Sequence, residues 1–179
     1  MKRDWIGKKV LIIGAARQGL ALARFLSARG ALVTLNDQRS QEQMQETVTS
    51  LDSLPIRWAL GGHPLSLLDD TDLVCISGGV PLTLPIVVET IQRGLPLTND
   101  SQIFMEAVES PVIGITGSAG KTTTTTLVGR MADHYAQRTG HTAWVGGNIG
   151  RPLVEFVDEI RPDDLVVVEF SSLSARMTW

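Results

Sequence analysis

The 179-residue sequence has very little of what marks several large classes of protein. Its single cysteine, Cys75, excludes an internal disulfide. Positive charge is also scarce, because 16 lysines and arginines stand against 19 aspartates and glutamates, for a net charge of −3. Proteins that bind nucleic acid through its phosphates normally carry a basic excess. The composition therefore argues against a nucleic-acid partner.

Long apolar runs are missing as well. No run approaches the roughly 18 residues that a membrane-spanning helix needs. The basic start of the chain, Met1–Trp5, lacks the apolar stretch of a signal peptide. His134 and His141 show no zinc-ligand spacing with each other or with a cysteine. Hydrophobic residues make up 43% of the chain, which is enough for a packed core. We expect a cytoplasmic α/β protein with no membrane span.

Apolar runs, glycine-bearing turns and helical patterns alternate along the chain. A short continuous apolar run such as Lys9–Ile13 is typical of a parallel strand covered on both faces. Helical spacing of apolar residues follows, and Gly30 is well placed to end the first helix. The predicted strands cover residues 9–13, 31–35, 72–77, 95–98, 112–116, 143–145 and 164–169. The pattern predicts two α/β units, over residues 1–110 and 111–179.

The clearest chemical signal is Gly117–Thr123, which lies between a predicted strand and a predicted helix. Backbone N–H groups at a helix N-terminus suit phosphate, Lys121 would reach the β- and γ-phosphates, and Thr122 would offer a hydroxyl to Mg²⁺. The usual pattern has glycine where this chain has Ile115, and a tight turn that happens to carry a lysine is the plain alternative. The strand and helix on either side favour an ATP site. Its predicted residues are Gly117, Ser118, Ala119, Gly120, Lys121, Thr122 and Thr123.

Two more segments of the second unit could belong to that site. Glu169 ends a predicted strand. A carboxylate at the carboxyl end of a parallel strand, beside a phosphate-binding loop (P-loop) such as Gly117–Thr123, is placed to reach the Mg²⁺ ion of that loop. Taken alone, an acid at a strand end is as often only solvated. The glycines of Gly146–Gly150 allow close approach to a ligand, and Asn148 offers both a donor and an acceptor. A flexible turn explains these glycines equally well.

In the first unit, Gly14–Gly19 is similar to a dinucleotide-binding turn with one departure. Ala16 stands where the second glycine of that turn lets a pyrophosphate approach. Asp37 lies near the distance expected for a ribose contact. The match to a nicotinamide site is weak, and a different anionic nucleotide could use the same crevice. His63 and Cys75 have no evident partner, which favours a loop residue and a core residue.

Together these segments resemble the Mur ligases over nearly the whole chain and in the same order. The segments that carry the resemblance are residues 10–19, 36–39, 77–79, 99–104, 115–123, 146–150 and 169–172. The resemblance implies a Rossmann-like domain over residues 1–110 that binds a UDP substrate. It implies an incomplete P-loop ATPase domain over residues 111–179. It is strongest to those members that join D-glutamate to UDP-N-acetylmuramoyl-L-alanine in peptidoglycan synthesis.

The resemblance also implies a reaction and roles for single residues. ATP and Mg²⁺ are used to phosphorylate the carboxylate of the UDP-linked substrate, and the D-glutamate amine attacks the acyl phosphate. Lys121 and Glu169 take catalytic roles, and Thr122 and Glu169 hold the metal. The contacts to the UDP substrate are implied for Arg17, Gln18, Asp37, Arg39, Gly79 and Asn148, the last where the muramoyl group meets the ATP site.

Three departures from the family bear on activity. Ala119 stands where the family often has asparagine, and Ser174 stands where it usually places a glutamine on the substrate. Complete members also continue into a full ATPase domain and a C-terminal domain, which supply a metal-binding histidine, a carbamylated lysine and the amino-acid site. We therefore expect this chain to be inactive in ligation on its own.

Other functions stay open at this point. The chain could bind a nucleotide sugar without catalysis, or belong to another Mur-type ligase or a folylpolyglutamate ligase. An NAD-dependent oxidoreductase fragment is a further alternative, but such enzymes have no use for the P-loop at 117–123.

Overall fold

The structure is a computed structural model that describes residues 3–171. The chain divides into two compact units, Arg3–Asp100 and a second that begins at Ser101. Each unit contains a parallel β-sheet with helices, so the predicted α/β fold class is confirmed. The division falls at Asp100, earlier than the boundary predicted at residue 110. The assignment of functional domains stays a prediction.

The first unit has a five-stranded parallel sheet in the order β3-β2-β1-β4-β5. The strands are β1 Lys9–Ile13, β2 Leu32–Asp37, β3 Ile56–Leu60, β4 Leu73–Ile76 and β5 Leu97–Asn99. The helices are α1 Arg17–Ser27, α2 Gln41–Ser50 and α3 Pro85–Gln92. The chain runs outward from β1 to β3 and then crosses to β4. The gap between the carboxyl ends of β1 and β4 is therefore the switch point at which open α/β sheets bind ligands.

The central strand β1 is the core of this unit. Leu11, Ile12 and Ile13 are completely buried, as expected for a parallel strand with both faces covered. Helix α1 contributes Leu22 and Leu26 to the same core. Burial of this strand places its carboxyl end, and the turn that follows, on a rigid support.

Strand β3 is absent from the sequence-based prediction. It is one of the two edge strands of the sheet and is only partly buried, so it carries Arg57 and Trp58 in place of a continuous apolar run. Because the pattern used for the other strands depends on a run of buried apolar residues, it misses a strand whose residues are only partly buried.

The second unit has a three-stranded parallel sheet in the order β6-β8-β7. Its strands are β6 Val112–Ile115, β7 Ala143–Gly147 and β8 Leu165–Glu169. Helix α4, Asp100–Ala107, begins at the division between the units, and α5 covers Lys121–Thr139. None of the helices within residues 3–171 combines the length and the apolar character that crossing a bilayer requires.

Helix α5 lies close to its sheet because its inward side chains are small. Its buried residues are Thr125, Gly129, Ala132 and Ala136. At Gly129 the approach is closest, since a Cβ there would lie 2.9 Å from Cγ2 of Val145 on β7. Any larger residue at this position would push the helix away from the strand.

Asp164 joins the segments that enter β7 and β8. Its buried carboxylate accepts hydrogen bonds from the backbone N–H groups of Thr142 at 2.9 Å and Arg161 at 3.0 Å, and from Trp144 Nε1 at 3.0 Å. Burial raises the pKa of Asp164, but these hydrogen bonds outweigh it and lower the pKa to about 2. The charged carboxylate therefore stabilises the folded unit at neutral pH.

We expect Asp164→Asn to destabilise the second unit by about 2–3 kcal/mol, because an amide cannot accept from all of these buried donors. Urea unfolding followed by tryptophan fluorescence measures the loss. Asp163→Asn is the matched control, since Asp163 is exposed and adjacent in sequence. Equal stability of the two variants would contradict the role given to Asp164.

The pH dependence of stability in the wild type and in Asp164→Asn provides a second test of the role of Asp164. The folded pKa lies below the ordinary value of 3.8, so the contribution of Asp164 is complete above about pH 4 and is lost as pH falls toward 2. The difference in stability between the wild type and Asp164→Asn should therefore shrink over that range. A difference independent of pH would show that charge is not the cause.

Candidate functional site

The P-loop connects β6 to α5 and is exposed. Gly117 and Gly120 have φ angles of 146° and 74°, in the region that favours glycine. Gly120 directly precedes α5, so the free N–H groups of the first helical turn face the loop. The Lys121 ammonium donates to the carbonyl of Gly117 at 3.0 Å. The loop thus combines a helix N-terminus with a lysine, as a phosphate site requires.

The other residues predicted to bind ATP are exposed in the same loop and in the first turn of α5. Ser118 and Ala119 are exposed in the loop, and Thr122 and Thr123 are exposed in the first turn of α5. Ile115, at the position where the common pattern has glycine, is the last residue of β6 and lies in the hydrophobic core. The glycine of the common pattern is replaced here by a residue that anchors the strand.

Glu169 lies at the carboxyl end of β8, the central strand, beside Ile115 of β6 and Gly147 of β7. It is 1% exposed. Its Oε1 atom accepts from Asn148 Nδ2 at 3.4 Å, whereas its Oε2 atom is buried without a hydrogen-bond partner. A buried carboxylate oxygen without a partner is costly, so Oε2 of Glu169 is a candidate ligand for a cation.

A magnesium ion fits these residues. Across residues 3–171 no three His, Cys, Asp or Glu side chains cluster as a metal group. Mg²⁺ bound with a nucleotide, however, commonly takes only one or two protein ligands and fills the rest with phosphate and water. The unpartnered oxygen of Glu169 meets this requirement, and Thr122 is exposed on the first turn of α5, where the sequence predicts phosphate binding.

The two glycines that end β7 pack closely against other backbone segments of the protein. A Cβ on Gly147, where φ is 103°, would lie 2.5 Å from the carbonyl oxygen of Glu169. A Cβ on Gly146 would lie 2.4 Å from the carbonyl oxygen of Arg151. The backbone N–H of Asn148 donates to Glu169 O at 2.8 Å. These glycines therefore permit a close approach within the protein, and they hold Asn148 beside Glu169.

At the carboxyl edge of the first sheet, Asp37 and Arg39 are paired. Arg39 donates through Nε at 2.9 Å to one carboxylate oxygen and through Nη2 at 2.8 Å to the other. The backbone N–H of Ala15 donates to the same carboxylate at 2.8 Å. The Arg39 guanidinium thus holds the pKa of Asp37 well below its usual range. Asp37 and Arg39, two of the residues predicted to contact the UDP substrate, are thus joined to the Gly14 turn.

That turn is closely packed at the switch point. A Cβ on Gly19 would lie 1.9 Å from the carbonyl oxygen of Gly14. A Cβ on Gly14, where φ is 97°, would lie 3.0 Å from Cβ of Ser77, so the turns after β1 and β4 touch. Gly79 differs, because it is exposed and a Cβ there would meet nothing within 4 Å.

The predicted contacts to the UDP substrate fall into two groups. Arg17 and Gln18 begin α1, directly after the Gly14 turn, and lie at the same sheet edge as Asp37, Arg39 and Gly79. Asn148 is placed in the second unit, beside Glu169. Ser172 and Ser174 lie outside the residues that the structure describes.

Sequence analysis missed one pair of residues in the first unit. It found no partner for His63, yet the His63 Nδ1 atom lies 2.5 Å from Oδ1 of Asn36. Asn36 is completely buried at the end of β2. The Gly61-Gly62 pair before the histidine was the only local signal, because 27 residues separate the partners. Cys75 is buried in β4, as predicted for a core residue.

The fold and the P-loop are typical of nucleotide-binding α/β proteins, and comparison with known sequences gives the family of this chain. The model of the family described as Mur ligase MurD-like, N-terminal domain, matches residues 8–99. The chain belongs to the Mur ligase family and carries its MurD-like N-terminal domain, so the resemblance stated from the sequence is confirmed.

Individual relatives agree with this family. The UDP-N-acetylmuramoylalanine--D-glutamate ligase of Pelotomaculum thermopropionicum is 40% identical over 172 residues, covering 96% of this chain and 37% of that protein. That of Syntrophotalea carbinolica is 41% identical over 169 residues, covering 94% and 36%. A solved pseudomurein peptide ligase type C from Methanothermus fervidus is 27% identical, with a TM-score of 0.50 over 96% of this chain and 36% of that one. The chain thus spans just over a third of the length of these relatives.

We expect Gly19→Ala to destabilise the first unit by about 3 kcal/mol, because its Cβ would collide with the backbone of Gly14. Gly79→Ala is the matched control and should leave stability within about 0.5 kcal/mol of the wild type. Thermal unfolding compares the two variants. A stable Gly19→Ala chain would contradict the packing of this turn.

Proposed function

We propose that the chain belongs to a cytoplasmic ligase that uses ATP to join D-glutamate to UDP-N-acetylmuramoyl-L-alanine. The observation that carries this proposal is the buried, unpartnered Oε2 atom of Glu169 beside an exposed P-loop. The names of the relatives at about 40% identity support the choice of substrates. In this proposal the first unit binds the UDP end of the substrate and the second unit binds ATP.

The first sheet edge favours UDP over a nicotinamide dinucleotide. In dinucleotide-binding folds an acid at the end of the second strand accepts from the ribose hydroxyl. Here both oxygens of Asp37 already accept from Arg39, one of them also accepts from Ala15 N–H, and the residue is 7% exposed. Ala16 also replaces the glycine that a pyrophosphate approaches in that fold. This edge therefore departs from a nicotinamide site in one glycine of the turn and in the pairing of its acid with Arg39.

The proposed reaction has two steps. The substrate carboxylate attacks the γ-phosphorus of ATP, the bond to the β,γ-bridging oxygen breaks, and ADP leaves with its electron pair. The D-glutamate amine then attacks the acyl carbon, phosphate leaves, and the nitrogen loses a proton. In phosphoryl transfer the protein contributes mainly position and electrostatic stabilisation. Lys121 and the N–H groups at the start of α5 would offset the charge on the phosphoryl oxygens.

Glu169 and Thr122 would hold Mg²⁺, which when bound offsets negative charge between the phosphates. Asn148 would orient the Glu169 carboxylate through the 3.4 Å contact to Oε1, and so leave Oε2 for the metal. The hydrogen bond from the backbone N–H of Asn148 to the backbone carbonyl of Glu169 holds the two residues side by side.

A nucleotide-sugar-binding role without catalysis is the second candidate. The first unit supports it, since it contains a complete switch point between β1 and β4 with its own buried core. This role needs no ATP, so the two candidates differ in what the second unit binds.

Calorimetric titration of the 179-residue chain with UDP-N-acetylmuramoyl-L-alanine, NAD and Mg-ATP tests the proposal. We expect the UDP-sugar and Mg-ATP to bind and NAD to give no heat of binding. Binding of the UDP-sugar without ATP would favour the second candidate. Binding of NAD in place of the UDP-sugar would contradict both candidates. D-glutamate-dependent ADP release, measured in parallel, reports whether these residues suffice for ligation.

Glu169→Gln separates a metal role from a structural one. The amide removes a buried charge, so we expect stability to be equal or higher, while affinity for Mg-ATP falls by about tenfold or more. Glu159→Gln is the control, because Glu159 is exposed in the same unit. Unchanged Mg²⁺ dependence of ATP binding in Glu169→Gln would exclude Glu169 as a metal ligand.

A further inference from the structure

Within the described part of the second unit, two buried side-chain oxygens have no hydrogen-bond partner. They are Oγ1 of Thr125 on α5 and Oε2 of Glu169 at the end of β8. Both residues are almost completely buried. A buried polar atom without a partner is costly, and a hydroxyl can donate where a carboxylate oxygen only accepts. The two oxygens are therefore a donor and an acceptor of complementary kind.

The hydroxyl of Thr125 differs from those of other threonines in helices. Thr126 and Thr139 of the same helix donate to the carbonyl oxygen four residues earlier, at 2.8 and 3.0 Å. Thr90 of α3 makes the same bond at 2.7 Å. This local hydrogen bond is the usual one for a buried or half-buried threonine in a helix. Since Thr125 does not make it, its hydroxyl stays available for a partner at the sheet.

Thr125 lies at the same level above the sheet as Glu169. Helix α5 runs opposite to the strands, because it connects the carboxyl end of β6 to the start of the parallel strand β7, and its Gly129 packs on Val145. Thr125 lies four residues before Gly129 and so about 6 Å nearer the carboxyl edge of the sheet. Gly147 lies two residues after Val145, about 7 Å nearer the same edge. Gly147 is paired with Glu169, which therefore lies at the level of Thr125.

The side chain of Glu169 also points to the face of the sheet that α5 covers. Alternate residues of a strand share a face, and Val167, two residues before Glu169, packs with Ala132 of α5 in one core cluster. Ile115, the partner of Glu169 in register, belongs to the same cluster. Thr125 is on the buried face of the helix with Ala132. The hydroxyl and the carboxylate thus lie in one layer between helix and sheet.

We propose that Thr125 is a positioning residue for Glu169, and that its hydroxyl donates to a buried water which in turn donates to Oε2. This inference rests on the proposed role of Glu169 as a ligand of Mg²⁺. The two oxygens do not bond to each other directly, and a single water commonly joins buried polar atoms of this kind. A carboxylate oxygen has two lone pairs, so Oε2 can accept from the water and still bind the ion. With Asn148 on Oε1, both oxygens of the carboxylate are then oriented.

The test compares ATP binding by the wild type, Thr125→Val and Thr125→Ser, each in Mg²⁺ and in EDTA. Valine has nearly the shape of threonine without the hydroxyl, whereas serine keeps the hydroxyl. We expect Mg²⁺ to raise the ATP affinity of the wild type. In Thr125→Val this gain should fall about tenfold while affinity in EDTA is unchanged, because groups that orient a metal ligand act on metal affinity. Thr125→Ser should keep most of the gain.

Thr139→Val is the matched control. Thr139 is exposed near the far end of α5, and its hydroxyl bonds only to carbonyl oxygens of its own helix. The same substitution there should leave the gain from Mg²⁺ equal to that of the wild type.

A double substitution shows whether Thr125 acts through Glu169. In Glu169→Gln the gain in ATP affinity from Mg²⁺ is already reduced, so adding Thr125→Val should cause no further loss. A further loss as large as that in the wild-type background would give Thr125 an effect independent of Glu169 and overturn the inference.

Other results would overturn it as well. Thr125→Val with the full gain from Mg²⁺ would show that the hydroxyl does not position Glu169, and an equal loss in Thr125→Ser would assign the effect to packing. If Thr125→Val melts lower, affinity in EDTA decides, because a damaged loop weakens ATP binding with and without the metal alike. A wild type that binds no ATP, or binds it independently of Mg²⁺, contradicts the proposed function and this inference with it. A Mg²⁺-dependent wild type with an unaffected Thr125→Val contradicts the inference alone.

Discussion

The parallel direction of the strands is the constraint on which both candidate sites depend. All strands within residues 3–171 run parallel to their neighbours, so each sheet collects the carboxyl ends of its strands at one edge. Buried central strands such as β1 and β8 cannot carry polar side chains along their length. Polar groups therefore gather in the last residues of each strand and in the turn that follows, and residues distant in sequence become neighbours there.

The two edges satisfy their polar atoms in opposite ways. In the first unit the carboxylate of Asp37 and the amide of Asn36 find all their partners within the chain. In the second unit Glu169 keeps one oxygen without a partner. The side chains at the first edge are therefore fixed by contacts within the chain. At the second edge one buried acceptor, Oε2 of Glu169, has no hydrogen-bond partner. A buried carboxylate oxygen without a partner suits a cation.

Sequence patterns predict the parts of this structure that depend on local burial. The apolar runs gave the central strands, and the P-loop spacing placed Gly117–Thr123 between a strand and a helix. Edge strand β3 was not predicted, because partial burial leaves no continuous apolar run. The Asn36–His63 contact was not predicted for another reason. It depends on the pairing of β3 with β2, and no spacing within a single sequence indicates that pairing. Likewise, Glu169 was recognisable as a strand end, but its unpartnered oxygen was not.

The small residues beneath α5 have an effect that reaches beyond packing. Gly129 lies eight residues, about two turns, after Lys121 and sets how closely the helix approaches β7. Since a helix is stiff along its axis, the contact between Gly129 and Val145 also sets the distance of the first turn of α5 from the sheet. The position of the P-loop is thus determined partly by small residues two turns away from it. A comparison of relatives that is confined to the Gly-Lys-Thr motif would overlook those positions.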